Sequence, residues 1–340
     1  MARRGRSWSS PRPRWKRTTA IGPGRARSRS APPGKGPTSP PSRRMGSGRA
    51  ALDAGAEGVG LLRTEFLFVG RDTLPGEDDQ YGAYRSLAAA LDGRPMILRT
   101  LDVGADKPLP YLPRPSEANP FLGVRGIRLG LEEPALLATQ LRAALRVAAE
   151  FPLKVMFPMV TTLDELRRAR AVVRQARESL AARGVRPPDR VEVGMMVEVP
   201  AAALMAEVFA PEVDFFSIGT NDLSQYTMAA DRGNEHVAAL ADALEPAVLR
   251  LIARVIEAAD SHGKWVGVCG ELAGDPIATP VLIGLGVREL SMSAPSIAAV
   301  KQATRMIDMA GARALAREAL SQPSAAAVRS LLASARTERP

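Results

Sequence analysis

The sequence predicts an α/β protein of the (β/α)8 TIM-barrel class with its first strand missing or degraded. From about residue 50 onward, short apolar runs alternate with amphipathic helical stretches, the pattern of βα units around a parallel sheet. Seven such runs fall within residues 58–293, one fewer than a closed barrel of this class needs. Polar residues close many of these runs at their carboxyl ends, the face on which such barrels carry their active sites. An open doubly wound sheet fits less well, because no glycine-rich dinucleotide turn follows the first run.

Residues 1–47 are rich in Arg, Pro, Ser and Gly and show no hydrophobic periodicity. A segment of that composition cannot bury enough apolar surface to offset its ordering entropy, so disorder is expected. Its acid-free, basic composition also superficially suits an organelle transit peptide or a nucleic-acid arm. Residues 48–340 are assigned to the barrel and its C-terminal helices. The runs come in order as "GVGLLR" (58–63), "PMILRTLD" (95–102), "LKVMFPMV" (153–160), "VEVGMMVEV" (191–199), "VDFFSIGTND" (213–222), "KWVGVCGE" (264–271) and "VRELSMS" (287–293). Helical patterns cover 134–149, 163–183 and 235–262, and a helical tail runs from about 296 to 336. A sheet of only these seven strands would keep an open edge.

Composition narrows the functional classes. The formal charge of +10 is local: residues 1–50 hold 14 Lys and Arg with no Asp or Glu, leaving the other 290 residues at a net −4. That distribution argues against a protein-wide nucleic-acid surface. Cys269 is the one cysteine, which excludes an internal disulfide and fits a reducing cytoplasm. No apolar run approaches the roughly 18 residues of a membrane span, and the head lacks the apolar stretch of a secretory signal. A cytoplasmic location is expected.

The candidate site gathers Arg63, Arg99, Arg125, Arg232, Glu198, Asn221, Asp222 and Cys269. Taken singly, Arg63 and Arg99 would serve as surface salt-bridge partners. Several guanidinium forks converging at strand ends suit a small ligand bearing both phosphate and carboxylate. Glu198 and Asp222, from neighbouring strand ends, have the chemistry to share one Mg2+, which takes one or two carboxylates together with substrate phosphate. The alternative is that each caps a helix. Cys269 is by habit a buried small hydrophobe, whereas its glycine flanks would expose it as a proton donor to a carbanion-like intermediate. His236 and His262 read as solvated helix residues.

With these residues assembled, the segments resemble one family throughout. "GAEGVGLLRTEFLF" (55–68), "LRTLDVGADK" (98–107), "NPFLGVRGIR" (119–128), "MFPMV" (156–160), "GMMVEVPAAA" (194–203), "DFFSIGTNDLSQYTMAADRGN" (214–234) and "GVCGELAGD" (267–275) are similar, in order, to the barrel motifs of the phosphoenolpyruvate-utilising enzymes. Within them the stretch "MAADRGN" resembles the enzyme I branch of the bacterial sugar phosphotransferase system. The resemblance implies phosphoenolpyruvate (PEP) ligands at Arg63, Arg99, Asn221, Asp222 and Arg232, with Arg125 and Lys107 as further basic positions. It also implies Mg2+ ligands at Glu198 and Asp222 and a proton donor at Cys269. The implied reaction moves the phosphoryl group of PEP to a histidine on a partner domain and on to the phosphocarrier HPr, in a homodimer. The histidine domain of that branch has no counterpart motif in this sequence. A pyruvate phosphate dikinase or PEP synthase type enzyme shares the barrel, and a catalytically silent PEP-binding or dimerisation fragment is the alternative from another class.

Overall fold

The computed structural model of the chain describes residues 17–21, 47–104 and 109–337. Eight parallel strands follow one another around a closed barrel in chain order. They are β1 (Arg17–Ile21), β2 (Val59–Arg63), β3 (Met96–Arg99), β4 (Leu153–Phe157), β5 (Val193–Val197), β6 (Phe215–Ile218), β7 (Trp265–Val268) and β8 (Glu289–Met292). The seven runs read from the sequence are β2 to β8. Helices connect the strands: α1 (Ser47–Asp53), α2 (Glu77–Ala90), α3 (Ile127–Glu132), α4 (Pro134–Ala148), α5 (Leu163–Ala182), α6 (Pro200–Leu204), α7 (Ala206–Phe209), α8 (Thr220–Met228), α9 (Pro246–Ser261) and α10 (Thr279–Leu285). After β8 come α11 (Ile297–Arg305), α12 (Met309–Ser321) and α13 (Ala325–Thr337).

The expected gap in the barrel is corrected at five residues. Arg17 to Ala20 pair in parallel with Glu289 to Met292 of β8, and Ala20 and Ile21 pair with Val59 and Leu61 of β2. The segment "RTTAI" thus stands where the first strand belongs and removes the open edge. Threonine and isoleucine suit extended backbone, but five residues among Arg, Pro and Gly offer too short a pattern to stand out. The rest of the head lies outside the described residues. A chain starting at Ser47 should melt about 5 °C or more below the full chain, because β2 and β8 each lose a row of hydrogen bonds. Equal melting temperatures by calorimetry would show that β1 contributes nothing.

Parallel strands covered on both faces need near-continuous apolar runs, and β3, β5, β6 and β8 are buried at every position. Alternate residues face the barrel axis. Leu61, Ile97, Met156, Met196, Phe215 and Cys269 form one inner cluster, while alternating strand residues such as Leu62, Leu98, Val155, Met195, Phe216 and Val268 join the larger core under the helices. Toward the amino-terminal end of the barrel the Phe215 ring stacks on Trp265 with centroids 4.6 Å apart. Gly194 on β5 makes room for that ring, since a Cβ there would lie 2.5 Å from it.

Helix starts follow local chemistry. Thr162 and Glu165 form a reciprocal capping box at α5. Asp308 accepts from Ala310 N–H and Gly311 N–H at α12. Pro134, Pro200 and Pro246 each occupy the first helical position, where no N–H is required. The last of these corrects the expected helix over 235–262: residues 231–245 are turns and a short 3₁₀ segment, and α9 begins only at Pro246. His236 therefore lies in an exposed turn and His262 caps the end of α9.

Candidate active site

The two-residue period of the strands carries the inner face straight into the barrel mouth. Arg63 stands two residues beyond Leu61, Arg99 two beyond Ile97 and Glu198 two beyond Met196, so all three continue the register of the inner cluster. Cys269 closes β7 on the same face. The loop after β6 passes directly into α8, whose first turn holds Thr220, Asn221 and Asp222.

Arg99 is buried at 6% exposure and held between two carboxylates, with Nη2 donating to Glu65 Oε1 at 2.6 Å and Nη1 2.9 Å from Asp102 Oδ2. Asp102 also binds the Arg125 fork, with Nη2 3.1 Å from Oδ2 and 3.2 Å from Oδ1. Arg125 Nη1 reaches Tyr226 Oη at 3.3 Å and stands 3.6 Å from Asp222 Oδ1. Arg232 Nη2 approaches the same Asp222 oxygen at 3.6 Å. Burial opposes the charge of both Arg99 and Arg125, but the surrounding carboxylates outweigh it and hold both guanidiniums above the usual arginine range. Arg63 is pulled the other way, by burial first and by the nearby Arg99 charge second.

Glu198 is fully buried. Its Oε1 accepts from Met159 N–H at 2.6 Å, and Met159 takes a left-handed φ of 57° at that contact. Burial, then the Asp222 and Asp102 charges, push the Glu198 carboxyl well above the ordinary glutamate range. Glu198 Oε2 and Asp222 Oδ1 are both buried and lack any hydrogen-bond partner, as are Arg63 Nε, Arg99 Nε and Thr220 Oγ1. Neither carboxylate caps a helix: α6 starts after Val199 and α8 after Gly219, and no side chain caps either. Two buried carboxylate oxygens that accept no hydrogen bond, the Asp222 one with guanidiniums no nearer than 3.6 Å, fit a hard divalent cation completed by further oxygen ligands. Among the described residues no group of three or more His, Cys, Asp and Glu gathers as a metal cage.

Cys269 is buried, which corrects the expectation that its glycine flanks expose it. Its Sγ donates to Ile218 O at 3.6 Å, and burial pushes the thiol up to about 11. Gly270 lets β7 close against α8, since a Cβ there would sit 1.9 Å from Thr220 Oγ1. Asn221 spends its Oδ1 on Glu271 N–H at 2.8 Å and so ties α8 to the loop after β7. The structure thus brings together Arg63, Arg99, Arg125, Arg232, Glu198, Asn221, Asp222 and Cys269. Lys107 lies outside the described residues. Glu65, Asp102, Met159 and Tyr226 join the site although the sequence reading did not single them out.

The sequence profile of the PEP-utilising enzymes' PEP-binding domain matches residues 45–309. The chain belongs to this family. Among curated relatives, the phosphoenolpyruvate-protein phosphotransferase of Geobacillus stearothermophilus is 59% identical over 249 residues, 73% of this chain and 43% of that protein. That of Bacillus subtilis is 56% identical over 73% of this chain and 44% of its own length. That of Listeria monocytogenes is 50% identical over 81% and 48% respectively. The chain spans a little under half the length of the curated relatives it matches. No described helix is long and apolar enough to cross a membrane.

Proposed function

We propose that this chain is the PEP-binding catalytic barrel of a phosphoenolpyruvate-protein phosphotransferase of the enzyme I kind. The barrel, residues 48–340 together with strand β1, would take Mg2+-PEP, release pyruvate and hand the phosphoryl group to a histidine on a partner domain that serves the phosphocarrier HPr. The observation that carries this reading is the gathering of two buried carboxylate oxygens that accept no hydrogen bond, on Glu198 and Asp222, with the strand-end cations Arg63 and Arg99 and the loop cations Arg125 and Arg232. Identities of 50–59% to proteins of that name support it.

Glu198 and Asp222 would hold Mg2+, whose role when bound is to neutralise charge on the phosphoryl oxygens. Arg63 and Arg99 keep buried Nε donors free for an incoming anion. Arg63, crowded by Arg99, gains most from a dianionic ligand. Arg232, bound only loosely to Asp222, and Asn221 would orient the substrate carboxylate. Once the phosphoryl group leaves, C3 of the enolate takes a proton from Cys269 Sγ. A thiol held near 11 keeps that proton throughout the neutral range.

The test is pyruvate release when PEP and Mg2+ are mixed with this chain and a separately supplied histidine domain of a relative. Cys269→Ala should slow pyruvate formation about a hundredfold while leaving PEP affinity within about threefold, because the thiol acts on the enolate and not on the bound ground state. A variant that forms pyruvate as fast as the parent would remove Cys269 from the reaction. No pyruvate from the parent in excess histidine domain would count against the phosphotransfer reading.

A further inference from the structure

Between helices α2 and α4 and the end of β3 lies a chain of buried polar side chains that the site described above does not use. Gln140 of α4 accepts from Leu101 N–H through Oε1 at 2.8 Å. Its Nε2 donates to Thr64 Oγ1 and to Tyr84 Oη, each at 3.1 Å. Thr64 in turn donates to the Arg99 carbonyl at 3.0 Å, and Tyr84 to Gln80 Oε1 at 3.1 Å. Gln80 Nε2 ends the chain on Pro75 O at 3.0 Å. Gln140, Thr64, Tyr84 and Gln80 are all at most 1% exposed.

The requirement at position 140 is narrow. Leu101 N–H can only donate, so an acceptor must face it. The protons of Thr64 and Tyr84 are already committed, so donors must face those two hydroxyl oxygens. A carboxamide meets all three partners at once. We infer that Gln140 is a positioning residue for Arg99. It holds Leu101 N–H directly and the Arg99 carbonyl through Thr64, gripping the backbone on both sides of Thr100. Arg99 and Asp102, whose side chains pair in the barrel mouth, sit at either end of this clamped segment. A displacement of an ångström there would move the guanidinium out of reach of a bound anion.

The inference rests on the reading of Arg99 as a PEP ligand. Its test uses the full chain and two measurements: Mg2+-dependent PEP affinity by calorimetry, and amide hydrogen exchange at Leu101 without ligand. Gln140→Leu, close in size but unable to make any of the three bonds, should weaken PEP about tenfold and speed exchange at Leu101. In an Arg99→Lys background, which has already lost the fork, the same change should weaken PEP by less than about twofold. Should Gln140→Leu not fold, Thr64→Val, which removes the bonds to the Arg99 carbonyl and from Gln140 Nε2 but leaves Gln140 on Leu101 N–H, carries the same expectation for affinity and for the Arg99→Lys background. Additive losses in the double variant would reduce Gln140 to general packing and overturn the inference, as would parent-like affinity in the single variant. If the parent binds no PEP, the proposed function fails. Exchange at Leu101 then decides separately whether Gln140 holds this segment, and unchanged exchange overturns that too.

Discussion

Arg99→Ala is expected to melt about 5–10 °C below the parent and to lose measurable PEP binding. The stability loss follows from what the guanidinium leaves behind. Glu65 loses its 2.6 Å partner and Asp102 loses a guanidinium 2.9 Å away, in a pocket where Arg99 itself is 6% exposed. Removing one member of a buried ion network costs about 3–5 kcal/mol, since the remaining charge is neither solvated nor paired. For a chain of this size each kcal/mol shifts melting by about 1.5–2 °C. The binding loss follows from the site: of the buried guanidinium nitrogens without a partner, one belongs to Arg63 and one to Arg99. Charge-assisted hydrogen bonds to an anion contribute about 1.5–3 kcal/mol each, so losing Arg99 should cost at least a hundredfold in affinity. An Arg99→Ala protein that melts with the parent would contradict the account of Glu65 and Asp102 as its buried counterions.

Glu198→Gln should do the reverse to stability. A carboxyl whose folded pKa is raised costs the fold free energy at every pH above its unfolded pKa of about 4.3, because the unfolded chain ionises more readily. The cost is absent below that value, grows as pH rises and levels off above the folded pKa. Burial and the Asp222 and Asp102 charges impose this cost on Glu198. Glutamine keeps the acceptor for Met159 N–H and carries no charge. The metal-free variant should therefore be more stable by about 2 kcal/mol near pH 8 and no more stable than the parent near pH 4. The same variant should lose the Mg2+ dependence of PEP binding. Equal stability across that range, measured by denaturant titration, would contradict the burial of an unpaired carboxylate.

The barrel was legible because parallel strands buried on both faces leave unbroken apolar runs, and β2 to β8 each lie inside one. β1 was not legible, because its place is set by backbone pairing with β2 and β8 and its five residues show no usable pattern. The helix expected over 235–262 overran at its start, where Pro246 marks the true beginning of α9. The tail from 296 resolves into α11, α12 and α13, with a break at Asp308, which caps α12. In the site, Arg63, Arg99 and Glu198 were legible because they continue the inner register of a strand by two residues. Glu65 and Asp102 lie past the strand ends, where that period no longer applies, although "LLRTE" and "RTLD" show an acid two or three residues after each arginine. Gln140 left a clearer trace: it interrupts the buried face of α4 between Leu137 and Leu141 and Ala144, where a polar residue needs buried partners.

The central claim is that these side chains form a Mg2+-dependent PEP site. Calorimetric titration of PEP into the full chain tests it most directly, with and without Mg2+, beside Glu198→Gln. The account predicts saturable binding by the parent at submillimolar PEP with Mg2+ present, weakened at least tenfold when the metal is chelated, and no metal dependence in Glu198→Gln. Binding by the parent that ignores Mg2+, or no binding at millimolar PEP with the metal present, would contradict it.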